Sequence, residues 1–283
     1  MKNLLLFAFS AAIVLAAPKH VVIIGVDGLS VEALRKAEVP HLKKLMARGA
    51  WTLRARGVLP TVSSPNWMSI IAGAGPEQHG VDSNEWERFN HAIQPVCAGP
   101  EKIFPTIFSQ WKSQRPNAQL AVIHDWQGFG RLVEKESTNE TRHVKGSPAA
   151  MAAAIAYWKE HKPDLLFVHL DDVDHAGHDK TWESPEYLQA VAAADRLIGQ
   201  MLEALPLDQT VVAIVADHGG TEKKHGNPSM RELEVPWILA GPGVARGREL
   251  TEAVYSLDTA PTVLSLMGLR PHACWTGRAV PVK

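Results

Sequence analysis

Cysteine is scarce: Cys97 and Cys274 are the only two in 283 residues, and neither stands behind the N-terminal apolar run. A lipidated N-terminus therefore lacks its attachment residue, and no thiolate set is available to hold a metal. Charge of one sign is lacking too. Lys plus Arg number 29 and Asp plus Glu 30, for a formal charge of −1 and a pI near 6.9. Such a balance gives no global pull toward nucleic acid or an anionic membrane. The longest apolar run, Leu4 to Leu15, falls short of the roughly 20 residues that span a bilayer. There is no internal repeat and no low-complexity linker.

What is present begins with a leader. Lys2, the apolar run and the small residues Ala16 and Ala17 ahead of Pro18 read as a secretory signal peptide over 1–17, cleaved near Ala16 or Ala17. The protein is then expected to be exported, to a periplasm or the extracellular space, with no membrane span in the mature chain. Removing 17 of 283 residues leaves 266, enough for one sizeable domain over 18–283. In an oxidising compartment Cys97 and Cys274 could pair; two free buried thiols are the alternative.

Residues 20–27, HVVIIGVD, form a continuous apolar run ending in a carboxylate, the pattern of a buried strand. A helix is expected over Pro40 to Arg48, with Gly49 as its stop, then a strand from Trp51 to Arg56, a polar turn and a helix through Trp67 to Ala72. From about 79 to 146 the pattern loosens, with one clear strand at Leu120 to His124, and a small lid or insert is expected there. Order returns with a helix (Pro148 to His161), a strand (Leu165 to Leu170), a helix (Pro185 to Leu205) and a strand (Thr210 to Ala216). A short apolar run at Val235 to Ala240 and a helix over Asp258 to Met267 complete the chain. Strand and helix alternating in this way imply an α/β fold, a mostly parallel central sheet with helices on both faces.

Thirteen histidines matter only by where they fall. Three strands end in metal-capable groups: Asp27, the 171–178 segment, and Asp217 with His218. In open α/β sheets ligands bind at those ends. Each alone has a plainer reading: Asp27-Gly28 as a turn, Asp217 as a helix cap, a lone histidine as a surface residue. Asp174 and His178 stand four apart, a spacing that aims both at one ion in a helical turn or a folded loop. Asp171, Asp172 and His175 either orient those ligands or are solvated. His225 returns toward the others after a Gly-rich turn. In LPTVSSPNW, Pro65 at the first helical position would make Ser64 the N-cap and leave Ser63 free as a nucleophile, with Asn66 and the helix amides near a phosphoryl group. Trp86, Phe89 and Phe104 could stack a base or simply pack.

Taken together, VIIGVDG, PTVSSPNWMSIIAGAGPEQHGV, DDVDHAGH, VADHGG, HG at 225–226 and LDTAPTVLSLMG resemble the alkaline phosphatase superfamily, and within it the type I phosphodiesterase / nucleotide pyrophosphatase branch. The resemblance implies two divalent metal ions, usually zinc, with manganese or iron also fitting the N and O donors. One ion would take Asp174, His178 and His225, the other Asp27, Ser63, Asp217 and His218. It implies in-line attack by Ser63, a phosphoseryl intermediate, and Asn66 on a phosphoryl oxygen. Serine replaces the threonine common in that branch, and the chain leaves little room for a large cap. The expected activity is hydrolysis of a small-molecule phosphate ester, a phosphodiester or nucleotide pyrophosphate. Alternatives on the same site are phosphomonoester, phosphonate or sulfuric ester hydrolysis; the non-enzymatic one is a metal-stabilised secreted binding module.

Overall fold

The computed structural model describes residues 17–90, 92–99 and 101–283. Of the leader expected over 1–17, all but Ala17 lies outside them. Eight strands, β1 (His20–Val26), β2 (Gly49–Arg56), β3 (Leu120–His124), β4 (Glu140–His143), β5 (Leu165–Leu170), β6 (Thr210–Val215), β7 (Glu234–Ala240) and β8 (Arg248–Glu249), make one sheet in the order β4-β3-β5-β1-β6-β7-β2-β8. Only β7 runs antiparallel, between β6 and β2. β5 and β6 are buried at every residue and β1 at all but its first, so they read as continuous apolar runs and not as alternating ones.

The helices are α1 (Val31–Lys36), α2 (Pro40–Ala47), α3 (Ser63–Ala72), α4 (Pro76–His79), α5 (Ile107–Gln114), α6 (Ser147–His161), α7 (Asp172–Lys180), α8 (Pro185–Ala204), α9 (Met230–Leu233) and α10 (Thr259–Leu266). α8 packs with α1, α2 and α6 on one face of the sheet, while α3, α5 and α10 pack together on the other. Both faces are thereby covered. Among the described residues no helix is long and apolar enough to cross a membrane.

The register positions the site. Val26 pairs with Leu170 and Gly25 with Val215, so the residues just past these strands, Asp27, Asp171 and Asp217, emerge side by side at one edge of the sheet. β1 is the middle of the three.

Three expectations need correction. Residues 79–146 are not all lid or insert: α5, β3 and β4 within them belong to the sheet and its covering layer. The irregular part is held down by the Cys97–Cys274 disulfide and by Arg88, which donates to Glu101 and to the carbonyls of Arg131 and Val133. Gly49 does not stop α2 in a left-handed cap; it opens β2, where a Cβ would meet the Leu239 carbonyl at 2.1 Å. Ser64 is not an N-cap either, because α3 starts at Ser63 with Val62 in the cap position.

Candidate active site

Asp27, just past β1, is 1% exposed. Trp67 Nε1–H donates to its Oδ2 at 2.9 Å, and His169 Nε2 lies 3.1 Å from the same oxygen. Oδ1 has no hydrogen-bond partner among the described residues. Trp67 reaches this position because Gly25 has no side chain: a Cβ there would sit 2.5 Å from the indole ring. Gly28 (φ +66°) turns the chain and donates its N–H to Asp217 Oδ1 at 3.1 Å; a Cβ on it would touch Asp174 Cα at 2.9 Å. The turn therefore brings α7 against the strand ends.

His218 is the hub. Its Nδ1 lies 2.9 Å from the Gly219 carbonyl, which can only accept, so the proton sits there and Nε2 presents a lone pair. That Nε2 is 3.3 Å from Ser63 Oγ, 3.5 Å from Asp27 Oδ1 and 3.2 Å from Asp217 Oδ2. The same logic holds 47 residues apart in sequence at His178 and His225. Their Nδ1 atoms lie 2.9 Å from the Lys223 carbonyl and 2.8 Å from the Thr61 carbonyl, and their Nε2 atoms face each other at 3.1 Å. Two lone pairs at that distance repel unless something positive lies between them. Asp174 adds Oδ2 at 3.4 Å from His178 Nε2 and Oδ1 at 3.9 Å from His225 Nε2.

The electrostatics make the same point. Burial, with the Asp27 carboxylate next, pushes the Asp217 carboxyl well above its ordinary value, and burial, then Asp27 and Asp171, does so for Asp174. For Asp27 burial acts upward, but the hydrogen bonds from His169 and then Trp67 act downward and hold the carboxyl low. Burial, then His225, pushes His218 down to about 3. Neutral imidazoles and crowded carboxylates are short of positive charge. Three buried carboxylate oxygens, Asp27 Oδ1, Asp174 Oδ1 and Asp217 Oδ2, have no hydrogen-bond partner among the described residues, a costly arrangement that divalent cations would relieve. Asp174, His178 and His225 offer atoms within 4.8 Å of one another, as do Asp27, Asp174 and His218. The residues fit a divalent metal site built from N and O donors. A further grouping, Asp27, His169 and Asp171, lies on the β5 side.

A model of the type I phosphodiesterase / nucleotide pyrophosphatase family matches residues 21–94 and 93–233. The chain belongs to that family. Ectonucleotide pyrophosphatase/phosphodiesterase family member 3 of Rattus norvegicus is 26% identical over 218 residues, 70% of this chain and 24% of the relative. An uncharacterized pyrophosphatase/phosphodiesterase of Schizosaccharomyces pombe is 25% identical over 214 residues, 70% of this chain and 44% of the relative. The chain thus spans between about a quarter and less than half of the length of these curated relatives. Among solved structures, an inactive form of murine ectonucleotide pyrophosphatase/phosphodiesterase 5 in complex with AMP matches with a TM-score of 0.74 at 14% identity, covering 90% of this chain and 96% of that one. A mutant of the alkaline phosphatase PafA matches with a TM-score of 0.77 at 11% identity, covering 94% and 98%. At such identities the likeness is one of fold, and the fold is alkaline phosphatase-like. The family is one of metal-dependent phosphoric ester hydrolases.

Within this family site, the residues expected as metal ligands, Asp27, Ser63, Asp174, His178, Asp217, His218 and His225, do come together. Asn66 does not join them. It is fully buried, its Oδ1 accepts from Val58 N–H (2.7 Å), and its Nδ2 donates to the carbonyls of Val58 (3.3 Å), Pro60 (3.0 Å) and Val62 (2.9 Å). No donor is left for a phosphoryl oxygen. Asn84 is the amide that reaches the residue after Ser63: its Oδ1 accepts from Ser64 N–H at 2.8 Å, and its Nδ2 has no partner among the described residues. In the sequence its one signal is the polar VDSN turn after His79-Gly80. Asp171 is buried and pairs with exposed His175 at 3.1 Å. Trp86 and Phe104 are core, whereas Phe89 is 79% exposed.

Proposed function

We propose that this chain is an exported two-metal hydrolase of phosphodiesters or nucleotide pyrophosphates that works through a phosphoseryl intermediate on Ser63. The observation that carries the reading is the convergence at His218 Nε2. An alcohol and two carboxylate oxygens lie within 3.5 Å of that nitrogen, which turns a lone pair toward them. Asp174, His178 and His225 would hold one cation, and Asp27, Ser63, Asp217 and His218 the other. Mixed N and O donors favour zinc, with manganese or iron next. When bound, the pair supplies Lewis-acid charge to the phosphoryl oxygens and lowers the pKa of the serine alcohol.

The chain's own groups account for the remaining steps. Val62 in the cap position leaves both serine hydroxyls free of helix capping. Ser63 Oγ attacks phosphorus in line as the bond to the leaving oxygen breaks, and water then cleaves the phosphoserine, so two inversions give net retention. Asn84 Nδ2 and the Ser63 N–H at the start of α3 meet the charge that develops on the phosphoryl oxygens. Beside Asn84, whose carbonyl accepts from Arg131 Nη2 at 2.6 Å, a cleft of about 820 Å³ lined by Phe89, His124, Trp126, Lys135 and His143 offers room for the leaving group. The leader and the disulfide support export.

Acid-quenched turnover of bis-(p-nitrophenyl) phosphate and p-nitrophenyl phosphate tests this reading. Wild type should hydrolyse the diester and trap a phosphoserine at Ser63, and Ser63→Ala should do neither. Unaltered turnover by Ser63→Ala would reject it.

A further inference from the structure

Glu232, in α9, is a fully partnered buried carboxylate outside the ligand set, 1% exposed. Its Oε1 accepts from Thr221 Oγ1 (2.7 Å) and Ser229 Oγ (3.1 Å), and its Oε2 from Asn227 N–H (2.6 Å) and Thr61 Oγ1 (2.8 Å). Thr61 carries the connection further. Its Oγ1 accepts from Gly226 N–H at 3.0 Å and its carbonyl faces His225 Nδ1 at 2.8 Å, two residues before Ser63. The Glu232 carbonyl accepts from Gly219 N–H at 2.8 Å, beside His218. One residue thus ties together the nucleophile turn and both loops that deliver histidines.

We propose that Glu232 is a positioning residue: it touches no substrate, but through Thr61 it holds His225 in the orientation that binds the cation shared with Asp174 and His178. The inference rests on the two-metal reading above. The one proton of the Thr61 hydroxyl has two acceptors in reach, Glu232 Oε2 at 2.8 Å and the Asn227 carbonyl at 2.9 Å; the carboxylate is the stronger acceptor, and Thr61, through this hydroxyl and its carbonyl, sets the loop carrying His225.

The test is zinc titration in competition with a chromophoric chelator, on the purified protein. Wild type should bind two equivalents. Glu232→Gln and Thr61→Val should weaken one equivalent by about 10–100-fold and spare the other, as loss of a partner behind a ligating histidine does. Thr61→Ser, which keeps the hydroxyl, should restore it. Unchanged affinity in both variants overturns the proposal, as does equal weakening of both equivalents or a Thr61→Ser variant that behaves like Thr61→Val. If Glu232→Gln does not fold, the Thr61 pair decides alone. No zinc uptake by wild type removes the two-metal reading itself, an outcome distinct from two normal equivalents in every variant.

Discussion

Asn66 and Asn84 separate structural from chemical use of the same side chain. Asn66→Ala deletes one acceptor and two donor protons from a fully buried position, and so about three hydrogen bonds that hold the 58–62 turn. At about 1 kcal/mol net each the loss is about 3 kcal/mol, and more if the Val58 N–H stays buried without a partner. For a domain of this size each kcal/mol lowers Tm by roughly 2–4 °C, so a drop of roughly 6–12 °C is expected. Asn84→Ala gives up one bond, to Ser64 N–H, and should cost about 1 kcal/mol, yet lower kcat/KM by roughly 10²–10³ through loss of a donor to the phosphoryl group. Thermal melts and diester kinetics on both variants check this. An Asn66→Ala enzyme with unchanged Tm and a collapsed kcat would refute the reasoning, and so would an Asn84→Ala enzyme with full activity.

Three further outcomes follow. Replacing Cys97 by serine opens a link between positions 177 apart, so urea midpoints should fall by an amount worth up to about 5 kcal/mol in the chain-entropy model; equal midpoints would count against it. Burial pushes His79 down to about 3, with Ser69 Oγ 3.0 Å from its Nε2 and the Val81 N–H donating to its Nδ1. Between pH 6.5 and 3 the unfolded chain therefore binds one more proton at this position than the folded one, and stability falls as pH drops, by about 1.4 kcal/mol per unit. His79→Gln should flatten the slope of stability against pH by one proton in that window, and an identical slope would contradict the assignment. Gly25→Ala places a methyl 2.5 Å from Trp67, so it should cost about 1–3 kcal/mol and weaken zinc binding through Asp27; a variant with normal stability and affinity would show that the indole is not held there.

Much of the site was legible because its residues lie at the ends of long apolar strands, which hydrophobic pattern marks well. Asp27 and Asp217 could be read from HVVIIGVD and TVVAIVADH, and Asp174 with His178 from their spacing on α7. β4 was not legible: ETRH is a four-residue polar edge strand with no apolar alternation to betray it. α5 carries its signal in Ile107, Phe108 and Trp111 behind the Thr106 cap, short enough to be lost among the surrounding prolines. Asn66 was misread for a physical reason. One helical turn from Ser63 looks close in sequence, yet the carbonyls of the preceding turn claim its amide first. His169, Trp67 and Glu232 act by holding other residues, and a contact made across elements leaves no local spacing to find.

The most direct test of the account is diffraction at the zinc absorption edge from crystals grown with zinc and orthovanadate. Two anomalous peaks are predicted, one enclosed by Asp174, His178 and His225, the other by Asp27, Asp217 and His218 with Ser63 Oγ against it. No peak, or a single peak between Asp27, His169 and Asp171 with Ser63 far from it, would contradict the account.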